Sequence, residues 1–175
     1  MFLLCLLLFS TPVGFESAEE LARIPRKHPL EEKLGEEKAA VASLIEDTLV
    51  ESGVSPRLAR AATINAYAES NLVPTVIGDH GRSVGVFQLN IEGLGHDMSV
   101  DSRKDVRVSS KKIASFVLKD KVLVKMQEDC ASMEDMIKAF TIRVMRPSNM
   151  HVKARSRAEI GKRLLVGTPD LCEPT

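Results

Sequence analysis

Apolar positions along the chain fall mostly at helical spacing. From Glu31 onward Val41, Leu44, Ile45 and Leu49 recur on one helical face, and Gly53 closes that segment. Ser55 followed by Pro56 reads as an N-cap with proline at the first helical position, predicting a second helix to about Glu69. A glycine-rich stretch follows, with Gly78, Gly81, Gly85, Gly93 and Gly95. Asp101 is the expected cap of a third helix carrying Ile113, Phe116 and Val117. Ser132 with Asp135 resembles a capping box, and Met133, Met136, Ile137, Phe140 and Val144 form an apolar stripe that Pro147 ends. A last, basic helix is expected over about Asn149 to Val166, closed by Gly167. β-branched runs are short. The pattern therefore predicts a mainly α-helical domain, with at most a small hairpin in the glycine-rich stretch.

Ahead of this domain stands an apolar run, Phe2 to Phe9, broken by Ser10, Thr11, Pro12 and Gly14. It is too short to span a bilayer and has the length of a signal-peptide core. No Lys or Arg precedes it and no clean small-x-small site follows, so export leader, hydrophobic anchor and misplaced start codon all stay open. Residues 1–27 are read as this signal-like leader and a linker, and 28–175 as one domain. An exported (periplasmic or extracellular) or virion-associated location is the corresponding expectation.

Composition narrows the function classes. Lys+Arg and Asp+Glu balance at 24 each, so no global charge points to nucleic acid, and no such partner is expected. With hydrophobic residues at 44% and charged ones at 27%, the chain is ordinary globular material rather than disordered. Cys5 falls in the leader. If that is removed, Cys130 and Cys172 remain and can pair in an oxidising compartment; two free thiols are the alternative. His80, His96 and His151 are scattered without metal-ligand spacing, and no metal or cofactor is expected. Trp is absent, so stacking on a flat ligand falls to Tyr67 or a Phe.

The chemistry concentrates at the end of the second helix. At 100° per residue Leu58, Ala61, Ala62, Asn65, Ala66 and Glu69 share one small, inward face. Burial and the partial negative charge of a helix C-terminus both disfavour an ionised carboxylate there. A carboxyl that keeps its proton suits a glycosidase's general acid. The plainer reading is a solvated residue on a fraying last turn.

The residues that follow weigh on that choice. The stretch AYAESNLVPTVIGDHGRSVGVFQLN, Ala66 to Asn90, resembles the lysozyme-like superfamily, in particular phage-tail lysozymes and soluble lytic transglycosylases. Those families carry a Glu-Ser pair at a helix end, then a Gly-rich turn, then a Gly-Leu-Phe-Gln or Gly-Leu-Met-Gln block. Here these are Glu69-Ser70 and Gly85-Val86-Phe87-Gln88, with Val86 in place of Leu. Weaker similarity extends over about Leu44 to Leu165. Phe140 to Pro147 looks like the late helix of phage-tail lysozymes, with Met145 replacing a Glu, and Ala139-Phe140-Thr141 stands where transglycosylases have Ala-Tyr-Asn.

The resemblance implies a lysozyme-like helical domain of the goose or soluble-transglycosylase type, with a hairpin or irregular Gly-rich stretch beside a cleft. It implies cleavage of peptidoglycan glycan strands at the MurNAc-GlcNAc β-1,4 bond, with Glu69 as the acid. Ser70, Gly85, Phe87, Gln88, Asp79 and Tyr67 are the substrate-binding candidates. Ser70 would hydrogen-bond near the sugar or satisfy the backbone at the helix end, and Gly85 would let sugar approach the backbone or serve as a turn glycine. Phe87 would form the floor beneath the cleft, and Gln88 would bond an N-acetyl group. Asp79 would orient a water or serve only its turn.

A hydrolase also needs a second carboxylate, for which Asp79, Glu92, Asp97 and Asp101 are candidates, whereas a lytic transglycosylase needs none. The basic helix, with Lys153, Arg155, Arg157, Lys162 and Arg163, reads first as a solvated face and second as a contact for anionic wall polymer or other virion or envelope proteins. A non-catalytic wall-binding or structural virion module on the same fold is the alternative function.

Overall fold

The computed structural model describes residues 28–169 and 172; the leader and most of the linker lie outside them. The described residues are mainly helical. α1 (Glu31–Leu34) and α2 (Glu36–Glu51) are separated by Gly35, whose φ of 80° breaks what the sequence reads as one helix. α3 (Pro56–Ser70) begins as expected, with Ser55 Oγ accepting from the Leu58 N–H at 3.3 Å. Three two-residue strands follow: β1 (Ile77–Gly78), β2 (Ser83–Val84) and β3 (Leu89–Asn90). They form an antiparallel sheet in that order, with Ile77 opposite Val84 and Val84 opposite Leu89.

The middle of the chain departs from expectation. Asp101 caps nothing. Ser99 caps the short α4 (Val100–Lys104), and Asp105 caps α5 (Val106–Val117), its Oδ1 accepting from Val108 N–H at 2.9 Å. A further helix, α6 (Lys121–Glu128), starts at Asp120, a cap the periodicity does not announce. α7 (Met133–Phe140) is capped by Ser132 as expected, but it does not run straight to Pro147. Residues Thr141–Met145 widen into a π turn, closed by a hydrogen bond from Arg146 N–H to the Thr141 carbonyl at 2.9 Å. Pro147 disfavours an α-helical residue before it; Arg146 turns left-handed at φ 46°. α8 (Met150–Leu164) completes the domain.

α3 is the central element, packed by α2, α7 and α8. Every residue from Leu58 to Ala66 is buried. Ala59, Ala61, Ala62 and Ala66 let neighbouring helices approach closely, while Ile64 and Leu58 fill the core between them. At about 25 cal/mol per Å² of buried apolar surface, this helix is held by its neighbours rather than by its own propensity. α8 comes close because Gly161 faces α7, where a Cβ would sit 2.4 Å from Ile137 Cδ1.

Cys130 and Cys172 are joined in a disulfide with Cα atoms 5.9 Å apart, tying the end of α6 to the C-terminal tail. No helix among the described residues is long and apolar enough to cross a membrane.

Candidate functional site

Glu69 stands one residue before the end of α3, with 20% of its side chain exposed. It opens into a cleft of about 630 Å³. One bank comes from the glycine-rich stretch and includes Asp79, Ser83, Gln88, Asn90 and Glu92. The other comes from Phe116 of α5, the π turn and the start of α8, and includes Met145, Arg146, Pro147, Ser148 and Lys153.

The face read as inward is buried at Leu58, Ala61, Ala62, Asn65 and Ala66, but Glu69 at its end also meets a charged partner. Arg157, 5% exposed, donates from Nη2 to Glu69 Oε1. Its Nη1 donates to Asn65 Oδ1 at 2.9 Å, and Thr141 Oγ1 donates to the same oxygen at 2.7 Å. Asn65 Nδ2 in turn donates to the carbonyls of Ala61 at 2.9 Å and Ile137 at 3.3 Å, which orients the amide. Glu69 is therefore held by a buried polar chain that joins α3, α7, the π turn and α8. The solvated-face reading of the last helix fails at Arg157. Arg157 is buried beside Ala154, Ala158 and Gly161. That 154, 157, 158, 161 spacing is an inward stripe visible in the sequence.

The other site candidates divide. Asp79, Phe87 and Gln88 line the cleft together with Glu69. Phe87 is fully buried and forms floor, as expected. Asp79 accepts from Ser83 Oγ at 2.5 Å, a bond across the tight turn around Gly81. Gln88 is more committed than expected: its Nε2 donates to the carbonyls of Val76 at 3.1 Å and Gly85 at 2.9 Å. Its Oε1 packs where a Cβ on Gly78 would stand, 2.4 Å away. The Gln88 amide thus braces the sheet and turns only part of itself to the cleft.

Ser70, Gly85 and Tyr67 do not line the cleft. Ser70 is buried, with Oγ 3.1 Å from the Ala66 carbonyl and 2.9 Å from that of Val86, so it ties the helix end to the Gly85–Gln88 block. Gly85 is required by the protein itself: at φ 83°, a Cβ there would lie 2.0 Å from the Arg103 carbonyl. Tyr67 is two residues from Glu69, about 200° around the helix, and so faces away. Its ring instead carries Lys38 Nζ, 6.0 Å from the centroid.

Of the second-carboxylate candidates, Asp79 and Glu92 line the cleft and Asp97 and Asp101 do not. Asp97 pairs with Lys112 at 2.7 Å, and that hydrogen bond holds its carboxyl below the ordinary value. Glu92 reaches Arg82 at 3.2 Å.

Sequence reasoning missed Arg103. It is fully buried in α4, and Nη1 donates to the carbonyls of Arg82 at 2.7 Å and Leu89 at 3.0 Å. Only its length and charge suit two inward carbonyls at once. Among the described residues no cluster of His, Cys, Asp or Glu is arranged to hold a metal ion.

Comparison of the chain with protein-family profiles, with curated proteins and with solved structures finds no match.

Proposed function

We propose that this protein has a lysozyme-like fold and cleaves the β-1,4 bond between N-acetylmuramic acid and N-acetylglucosamine in peptidoglycan, with Glu69 as general acid. The observation that carries the reading is the position of Glu69. It stands in the last turn of a buried helix, lines the same cleft as Phe116 and Arg146, and is fixed through one oxygen by Arg157. Oε2 makes no hydrogen bond among the described residues. Carrying the proton, that oxygen can protonate the leaving glycosidic oxygen of a strand lying in the cleft.

Two routes complete the reaction. In a lytic transglycosylase the sugar's own 6-hydroxyl attacks, and Glu69 then accepts its proton. In a hydrolase, a carboxylate must activate water or attack, and the cleft offers Asp79 and Glu92 for that role. Digestion of purified peptidoglycan separates the routes: 1,6-anhydro ends mean transglycosylation, and reducing ends mean hydrolysis. Folded wild-type protein that binds walls but releases neither product overturns the enzymatic reading. It leaves the non-catalytic wall-binding or virion module, which the internal engagement of Ser70 and Gln88 favours.

A further inference from the structure

The two banks of the cleft differ in how their charges are satisfied. On the Gly-rich bank and at the helix end, each carboxylate has a partner: Glu69 pairs with Arg157, Asp79 accepts from Ser83 and Glu92 reaches Arg82. The facing bank carries Arg146 and Lys153, and neither makes an ion pair among the described residues. Among the cations nearby in the chain, Arg143 pairs with Asp120 and Lys162 with Glu134 and Glu159, while Arg155 and Arg163, also without an ion pair among the described residues, lie outside the cleft. An unpaired Arg-Lys couple inside a concave site is a ready acceptor for an anion.

Arg146 is also held in place. Its Nε donates to the Arg143 carbonyl at 2.9 Å, and its guanidinium lies 5.5 Å from the Phe116 ring centroid. That fixes the planar fork while leaving the terminal nitrogens without a partner among the described residues. Such a fork matches a carboxylate bidentately. Lys153 stands in the first turns of α8, whose N-terminus has no side-chain cap and adds partial positive charge on the same bank. Beside the cations, half-buried Phe116 and Pro147 give the bank an apolar surface for a sugar face.

We propose that Arg146 and Lys153, beside Phe116, form a subsite for a carboxylate-bearing sugar: the lactyl or stem-peptide carboxylate of a muramyl residue, in preference to a neutral amino-sugar polymer. This rests on the glycan-cleaving reading and names the part of the strand that the cationic bank selects. A stem carboxylate held on that bank sets which sugar lies across Glu69, because the two muramyl and glucosaminyl residues alternate along the strand.

Binding tests this without requiring cleavage. Glu69→Gln protein is titrated calorimetrically with three probes. These are muramyl-peptide glycan fragments with free carboxylates, the same fragments with their carboxyls converted to amides, and a chitin oligosaccharide of equal length. The carboxylate form binds about tenfold more tightly than the amide or chitin, and 0.5 M salt narrows that gap. Adding Arg146→Gln and Lys153→Gln brings the carboxylate form down to the affinity of the amide, while Phe116→Ala weakens all three probes alike. Lys153→Glu, at an exposed position, is a second check and lowers affinity for the carboxylate form alone. Equal affinity for carboxylate and amide, or an equal loss on both in the Arg146–Lys153 variant, overturns the subsite and leaves the glycan reading standing. No binding of any probe by folded protein overturns both.

Discussion

Arg157 pairs with Glu69 from 88 residues further along the chain, so the last helix supplies the partner of the residue that ends the second long one. The pair is set by Asn65 and Thr141 behind it, and its two side chains are 5% and 20% exposed. Removing one member of such a pair leaves an uncompensated charge, at about 3–5 kcal/mol where burial is complete. Partial exposure of Glu69 lowers that figure.

Glu69→Gln keeps the size of the side chain and removes its proton. Loss of general acid catalysis lowers kcat about 10²–10⁴-fold on purified peptidoglycan, and the melting temperature falls as well, because buried Arg157 loses its counter-charge. Wild-type rates in this variant would refute the assignment. Arg157→Lys keeps charge but not the fork that reaches both Glu69 and Asn65, so kcat falls with KM little changed. Arg157→Met falls further and unfolds at lower temperature. Thr141→Val leaves the Asn65 oxygen with one donor fewer and costs about 1–3 kcal/mol in urea titration.

Gly85→Ala distinguishes self-packing from sugar approach. Its Cβ would strike the Arg103 carbonyl at 2.0 Å in addition to strain at φ 83°, whereas Gly81, at φ 92°, has nothing within 4 Å. Gly81→Ala is expected to cost about 1–2 kcal/mol, the backbone term alone. Gly85→Ala costs clearly more, in thermal melts without any ligand. Equal losses would mean that the Arg103 carbonyl moves aside.

Much of this was legible in the chain. Caps at Ser55 and Ser132 and the apolar faces of α3 and α7 are local, and they emerge where the pattern puts them. Glu69, Asp79, Phe87 and Gln88 meet in one cleft as the Ala66–Asn90 stretch implies. What escaped was long-range or backbone-specific. Arg157 sits among other basic residues, and only its Ala and Gly neighbours at helical spacing mark it as inward. Ser70 and Gly85 serve the protein itself: Ser70 bonds to the Val86 carbonyl, and Gly85 leaves room for that of Arg103. The π turn depends on how residues 141–145 meet α5 and α8, which no local period records.

Glu46 is the expected source of a loss of stability in acid. Burial pushes its carboxyl up, but His28, its Nε2 3.5 Å from Oε1, and the hydrogen bond from Arg60 together outweigh that and hold it below the ordinary 4.5. Arg60 Nε stands 2.6 Å from Glu46 Oε1. The group binds its proton more weakly folded than unfolded. Its stabilisation is therefore present above the unfolded value and lost as pH falls through the lowered one. Denaturant melts of wild type should weaken steeply below about pH 4.5, and Glu46→Gln, less stable at pH 7, should show a shallower decline. Parallel pH profiles for the two proteins would exclude Glu46 as the source.

The Cys130–Cys172 link spans a sequence separation of 42 residues. Closing a loop of that order contributes about 2–4 kcal/mol. Cys172→Ser should lower the melting temperature by a margin that matches reduction of the wild type with dithiothreitol. A reductant effect that persists in Cys172→Ser would point elsewhere.

Arg103 draws the carbonyls of residues 82 and 89 onto one buried guanidinium, so strands β2 and β3 cannot part without stranding a cation in the interior. The Gly-rich bank is accordingly fixed in shape by the protein itself, and a ligand held there would cost it little freedom.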